Sequence, residues 1–255
     1  MLSVTDAQLI AWVNAFVLPL ARVLAMIATA PVLNHPSIPV MVKIGLAALI
    51  AALIAPTLPP LPDTILLSWN GILVLMQQIG VGVAFGFTLQ LIFAGIEFAG
   101  DLIGMQMGLS FATMMNPQSG MAAPVTGTFL SIIASLVFLS IDGHLTMVAA
   151  ISESFRAFPI GVPSAGSALM ARDLATLGGQ VFSIAVHLSL PVVAALLICN
   201  LALGVMMRSA PQLNLMSIGF PISLLVGLWM MWICAPQLVE AMQAHLSNGM
   251  ALLMR

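Results

Sequence analysis

Charge is almost missing from this chain. Lys, Arg, Asp and Glu make up 5% of its 255 residues, where a soluble domain carries about a quarter. With 61% hydrophobic residues and a mean hydropathy of +1.16, that scarcity excludes an ordinary soluble domain and leaves a polytopic membrane protein. The net charge of −2 offers no basic face to nucleic acid, and no nucleic-acid module is present. Cysteine is reduced to Cys199 and Cys234, both in apolar segments. Two such thiols make neither a disulfide framework nor a CxxC metal site. Tyrosine is absent, so interfacial anchoring falls to tryptophans such as Trp12 and Trp69, near segment starts. The amino terminus, Met1 to Asp6, lacks a cationic lead, and the first hydrophobic segment is expected to be retained. No P-loop, dinucleotide fingerprint or HExxH occurs, and His35, His144, His187 and His245 are scattered. No cofactor or metal is therefore expected.

What is there is apolar sequence. Six stretches, each near the ~20 residues that span a bilayer as helix, run over 7–30, 42–58, 65–96, 125–141, 174–207 and 218–239. They predict an all-α fold of about six long hydrophobic helices. The third stretch would be about 48 Å long as one helix, so it must tilt, project or break. Pro191, Pro221 and Pro236 supply places to break. Pro31 to Pro39 is a turn region, and Thr57 to Pro62 an extended connection. Ala149 to Phe158 reads as a short amphipathic helix ended by Pro159 and Gly161. With six spans, Arg156, Arg172 and Arg255 share one side and Lys43 and Arg208 the other, which favours a cytoplasmic carboxyl terminus.

Between Asp101 and Gly127 the character changes. Gly104, Met105, Gln106, Met107 and Gly108 are followed by Ser110, Thr113, Met114, Met115, Asn116, Pro117 and Met121. Irregular backbone at membrane depth survives only when buried in protein or lining a cavity. Methionine is unbranched and re-packs around changing shapes. The stretch is expected to be a deformable plug, with its glycines letting it fold back tightly. Gly82 and Gly86, and Gly100, Gly104 and Gly108, recur every four residues. Such ladders admit close backbone approach, either within this chain or against partner subunits.

Glu97 and Asp101 share one helix face after a long uncharged run. Carboxylates there need a cation or water; Arg208 is the first candidate, then Lys43 and Arg156. One carboxyl left to titrate would instead make a proton relay. Arg22, interrupting the first stretch, is expected to snorkel or to meet a partner's acid. Gly108-Leu109-Ser110 resembles the start of a rhomboid-protease box, with His187 downstream, but Phe111 replaces its second glycine. A lone apolar-segment histidine is more often packing than catalysis, so no enzyme is expected.

Four motifs carry a family resemblance. They are Pro31 through Ile38-Pro39 to Lys43-Ile44-Gly45-Leu46, Gly100-Asp101 through Gly104 and Gln106 to Thr113, and Asp142-Gly143-His144 with Glu153-Ser154-Phe155-Arg156. The most specific is Asn200 to Gly204, Arg208, Pro211-Gln212-Leu213-Asn214 and Gly219-Phe220-Pro221. Together they resemble the FliR/SctT family of the type III export apparatus, across nearly the whole chain.

The resemblance implies a helical export-gate assembly with FliP and FliQ, near FlhB and FlhA, among inner-membrane lipids at the flagellar basal body. It implies a FliP-like portion over 1–173 and a FliQ-like portion over 174–255. Gly104 to Met121 maps onto the family's pore plug, with Asn116 where an Asp is common. Arg208, Pro211, Gln212 and Asn214 are expected to form a polar turn at a helix or subunit contact. Unfolded flagellar subunits would be the cargo, moved by proton motive force and a separate ATPase. The alternative is a stand-alone transporter or channel with its site at broken helices.

Overall fold

A computed structural model describes residues 6–58, 68–109, 125–161, 166–209 and 215–254, with side chains over 13–58, 68–109, 125–161, 175–208 and 219–254. Among the described residues the chain forms seven α-helices and no strand. They are α1 (Asp6–Thr29), α2 (Val40–Ile54), α3 (Trp69–Gln106), α4 (Val125–Ser140), α5 (Gly143–Ala157), α6 (Gly166–Ser209) and α7 (Leu215–Leu253). A 3-10 turn over Ala55–Thr57 closes α2. Most of these helices are apolar around their circumference, as suits segments surrounded by lipid or other helices. The chain is an all-α polytopic membrane protein.

Among the described residues, four helical stretches are long and apolar enough to cross a bilayer: Val40–Thr57, Trp69–Gln106, Ala175–Arg208 and Gly219–Leu253. A fifth span results if Val125–Ser140 and Gly143–Ala157 count as one broken span. The break falls at Asp142, a non-glycine residue at φ 54°. Among the residues with described side chains, α1 supplies the apolar run Val13–Thr29.

The prolines expected to supply helix breaks do not interrupt their helices. Pro191 lies inside α6, and Pro221 and Pro236 inside α7. Each proline removes one N–H yet leaves the rest of the ladder intact, and a 44-residue or 39-residue helix tolerates one lost bond per site. The helix expected over 149–158 begins earlier, at Gly143, and ends at Ala157. Pro31 to Pro39 does form turns. Most of the connection predicted over Thr57 to Pro62 lies outside the described residues.

The chain divides into two compact units. One comprises Met1–Leu91, Asp142–Leu177 and Asn248–Arg255; the other comprises Ile92–Ile141 and Gly178–Ser247. In the first, Leu18, Met26, Ala51, Met147 and Ile151 are buried. There α3 approaches α1 closely at two glycines. A Cβ on Gly82 would meet the Arg22 carbonyl and Ala25 Cβ (2.9 Å), and one on Gly86 would meet the Thr29 hydroxyl and the Met26 carbonyl (2.7 Å). In the second, Ile96, Leu130, Ala185, Leu196 and Met242 are buried. Phe93 meets Phe138 edge-on with centroids 6.1 Å apart, and Phe98 meets Phe182 at 5.8 Å. Since lipid tails are as apolar as leucine, such contacts stabilise through close packing rather than escape from water.

Candidate functional site

The methionine- and glycine-rich stretch begins as helix. Gly104, Met105 and Gln106 form the last turn of α3, which corrects the expectation of irregular backbone from Gly104 onward. The glycine face explains the continuation. A Cβ on Gly100 would meet the Thr126 carbonyl at 2.5 Å and Gly127 Cα at 2.6 Å. One on Gly104 would meet the Thr126 hydroxyl, and one on Gly127 would meet the Asp101 carboxylate and the Glu97 carbonyl (3.1 Å). The end of α3 and the start of α4 therefore cross with backbones nearly touching. Gly82, Gly86, Gly100 and Gly104 of the two glycine ladders pack inside this chain.

Gly108 ends α3. Its φ is 82°. Leu109 N–H donates to the Gly104 carbonyl at 3.0 Å, and Gly108 N–H to the Met105 carbonyl at 3.1 Å. This pair of bonds around a left-handed residue is the Schellman termination, which satisfies carbonyls that the helix end would orphan. Gly108 is thus a helix stop.

The two methionines of this turn part company. Met105 is 55% exposed and Met107 1%. Met107 lies over Gly227 of α7, where an added Cβ would meet its Cγ at 2.5 Å and its Sδ and Cε at 2.8 Å. Gln106 is half-buried. The foot of the stretch is anchored on one side by the Gly100–Thr126 crossing and on the other by Met107. Met114, Met115, Asn116, Pro117 and Met121 lie outside the described residues, as do Pro211, Gln212, Asn214 and Ser110.

Glu97 is exposed, and Asp101 is half-buried with its Oδ1 enclosed and without a hydrogen-bond donor. Among the described residues neither carboxylate forms an ion pair. Lys43 Nζ instead donates to Asn34 Oδ1 at 2.8 Å, and Arg156 pairs with Glu153 at 3.3 Å. Arg208 is exposed in the last turn of α6, where its charge complements the helix dipole.

Arg22 behaves otherwise than expected. It neither snorkels nor waits for an acid: it is 0% exposed. Its Nε donates to Gln78 Oε1 at 2.9 Å, Nη1 to Ser154 Oγ at 3.0 Å, and Nη2 to the Phe158 carbonyl at 2.8 Å. The guanidinium carbon sits 4.0 Å from the Phe155 ring centroid. Neutral oxygens and a ring face thus replace the lost water around a buried charge. No local sequence pattern marks this clamp. Its signal is a single residue, Gln78, an amide deep in an uncharged apolar run, which needs a partner once buried.

Two further contacts join α6 and α7. Ser223 Oγ is 3.1 Å from Asn200 Oδ1 and 2.9 Å from the Gly219 carbonyl. His187 and His245 stand edge to face, centroids 5.8 Å apart.

Residues 13–249 match the profile of the bacterial export proteins, family 1. The chain is similar to flagellar biosynthetic protein FliR of Pectobacterium carotovorum subsp. carotovorum, 44% identical over 247 residues that cover 96% of this chain and 93% of that one. It is similar to flagellar biosynthetic protein FliR of Escherichia coli (strain K12), 43% identical over 232 residues, 91% and 88% of the two chains. It is also similar to flagellar biosynthetic protein FliR of Bacillus subtilis (strain 168), 31% identical over 222 residues, 86% and 85% of the two.

Proposed function

This chain belongs to family 1 of the bacterial export proteins, and we propose that it is a core subunit of the flagellar type III export gate, plugging the channel through which unfolded flagellar subunits cross the inner membrane. In this reading it assembles with FliP and FliQ beside FlhA and FlhB, with its carboxyl terminus in the cytoplasm. Residues 1–173 take the FliP-like part and 174–255 the FliQ-like part.

The supporting observation is the foot of the plug. A segment that must yield to cargo and then reseal needs a rigid root and a pliable body. Gly104 and Met107 hold the root against α4 and α7, and Gly108 releases the chain from the helix. Met105, exposed beside it, begins the thioether surface that Met114, Met115 and Met121 would continue. In the assembly, Asn116 and Pro117 shape the plug, while Arg208, Pro211, Gln212 and Asn214 form a polar turn at a subunit contact. Exposed apolar side chains such as Ile198, Leu201 and Trp232 are available to lipid and neighbouring subunits. A stand-alone transporter would place its site at unwound helices, yet Pro191, Pro221 and Pro236 sit within continuous ones.

Deleting residues 108–120 in the assembled complex is expected to raise passive small-ion conductance in planar bilayers. Conductance equal to that of the intact complex would remove the plug assignment.

A further inference from the structure

On the reading of this chain as a gate subunit, we infer that Glu97, Asp101 and Thr126 form a receptor for a cationic side chain of a neighbouring subunit, with the fork of an arginine the best match. Three observations converge. First, Glu97 and Asp101 are the only charged residues among the 38 of α3, and they stand one turn apart on one face. Second, two buried polar atoms at the α3–α4 crossing lack partners: Asp101 Oδ1 and Thr126 Oγ1. Thr126 is only 4% exposed, and its hydroxyl points at Gly104, on the same face of α3 as the two acids. Third, no described cation of this chain pairs with either acid: Arg22 is held by Gln78 and Ser154, Lys43 by Asn34, Arg156 by Glu153, and Arg208 is exposed at the end of α6.

Carboxylates in an apolar belt are stable only when paired or wetted. A guanidinium presents five donors in a planar fork, enough for two carboxylates and a hydroxyl. A protein partner fits better than a lipid amine. Glu97 is exposed and Asp101 half-buried, so the cation would approach from the protein surface beside the seam. The surrounding surface is also built for a helix. Val125, Phe129, Ile132 and Leu136 form an exposed apolar stripe on α4 at helical spacing, starting at the same crossing.

The test compares wild type with the double variant Glu97→Gln/Asp101→Asn, co-expressed with the other gate subunits and purified in mild detergent. The variant is expected to lose at least tenfold in co-purifying subunits, while Glu97→Asp retains them and the variant chain alone melts with the wild type. Full retention of partners by the double variant overturns the receptor. So does equal melting loss in the isolated chain, which would place the acids in folding instead. A wild-type chain that captures no partner sinks the gate reading itself. Independently of any variant, carbodiimide labelling should modify Glu97 and Asp101 in the isolated chain and spare them in the complex. Equal labelling in both states overturns the receptor, as does protection that phosphatidylethanolamine nanodiscs alone confer.

Discussion

Met107 of the α3 turn occupies the space that a side chain at Gly227 of α7 would need, with Cγ 2.5 Å from the missing Cβ. This contact joins the root of the glycine- and methionine-rich stretch to a helix more than a hundred residues later. Gly227→Ala is expected to destabilise the chain by about 1–3 kcal/mol, the usual cost of overpacking. Met107→Ala in the same chain should recover part of that loss, because the two residues share one volume. Thermal unfolding in detergent of both singles and the double checks it. Strict additivity would show that Met107 does not press on Gly227.

Arg22 is expected to tolerate no replacement. Arg22→Leu strands the Gln78, Ser154 and Phe158 oxygens that now accept from it. Breaking such a buried cluster costs about 3–5 kcal/mol. Arg22→Lys should recover little, since one ammonium cannot reproduce the planar fork. Membrane-inserted protein level and unfolding temperature are the readouts; wild-type values for Arg22→Lys would show that charge alone suffices.

The glycines divide into two groups. Gly86→Ala forces α1 and α3 apart, because the new methyl meets the Thr29 hydroxyl and the Met26 carbonyl. A loss of about 1–3 kcal/mol is expected. Gly179 lies in α6 with nothing within 4 Å of an added Cβ. There alanine should be neutral or stabilising by up to about 1 kcal/mol, as for any open helical glycine. Equal effects at both positions in thermal denaturation would contradict the α1–α3 seam.

Gly108 is needed for its backbone. Alanine at φ 82° costs about 1–2 kcal/mol, whereas asparagine, which enters the left-handed region more readily, should cost less. Limited proteolysis near residues 105–112 is the check, and cleavage is expected to rise in the order wild type, Gly108→Asn, Gly108→Ala. Identical cleavage of all three would show that the Schellman turn does not hold the root.

Several features were legible in the residues before any coordinates. Scarce charge and long apolar runs define an all-α membrane chain, because only helices or closed barrels satisfy the backbone in lipid. The proline-rich turn between α1 and α2 follows from local conformational limits at Pro31, Pro36 and Pro39. Other features were misjudged for identifiable reasons. Pro191 and Pro221 look like breaks locally, yet the ladder on either side carries the helix through them. Gly104 looks like loop, yet its missing side chain admits Thr126 and keeps α3 helical.

The order of residues alone determined that the chain is helical, that its helices are apolar on most faces, and that a glycine- and methionine-rich stretch lies between apolar segments. Those properties depend on neighbours close in sequence. Tertiary structure alone decided that Arg22 is enclosed by Gln78, Ser154 and Phe155, that Met107 is anchor and Met105 surface, and that Asp101 and Thr126 keep unpaired oxygens at a glycine seam. These outcomes depend on which distant backbones come within hydrogen-bond and van der Waals range, a distance that no local pattern encodes.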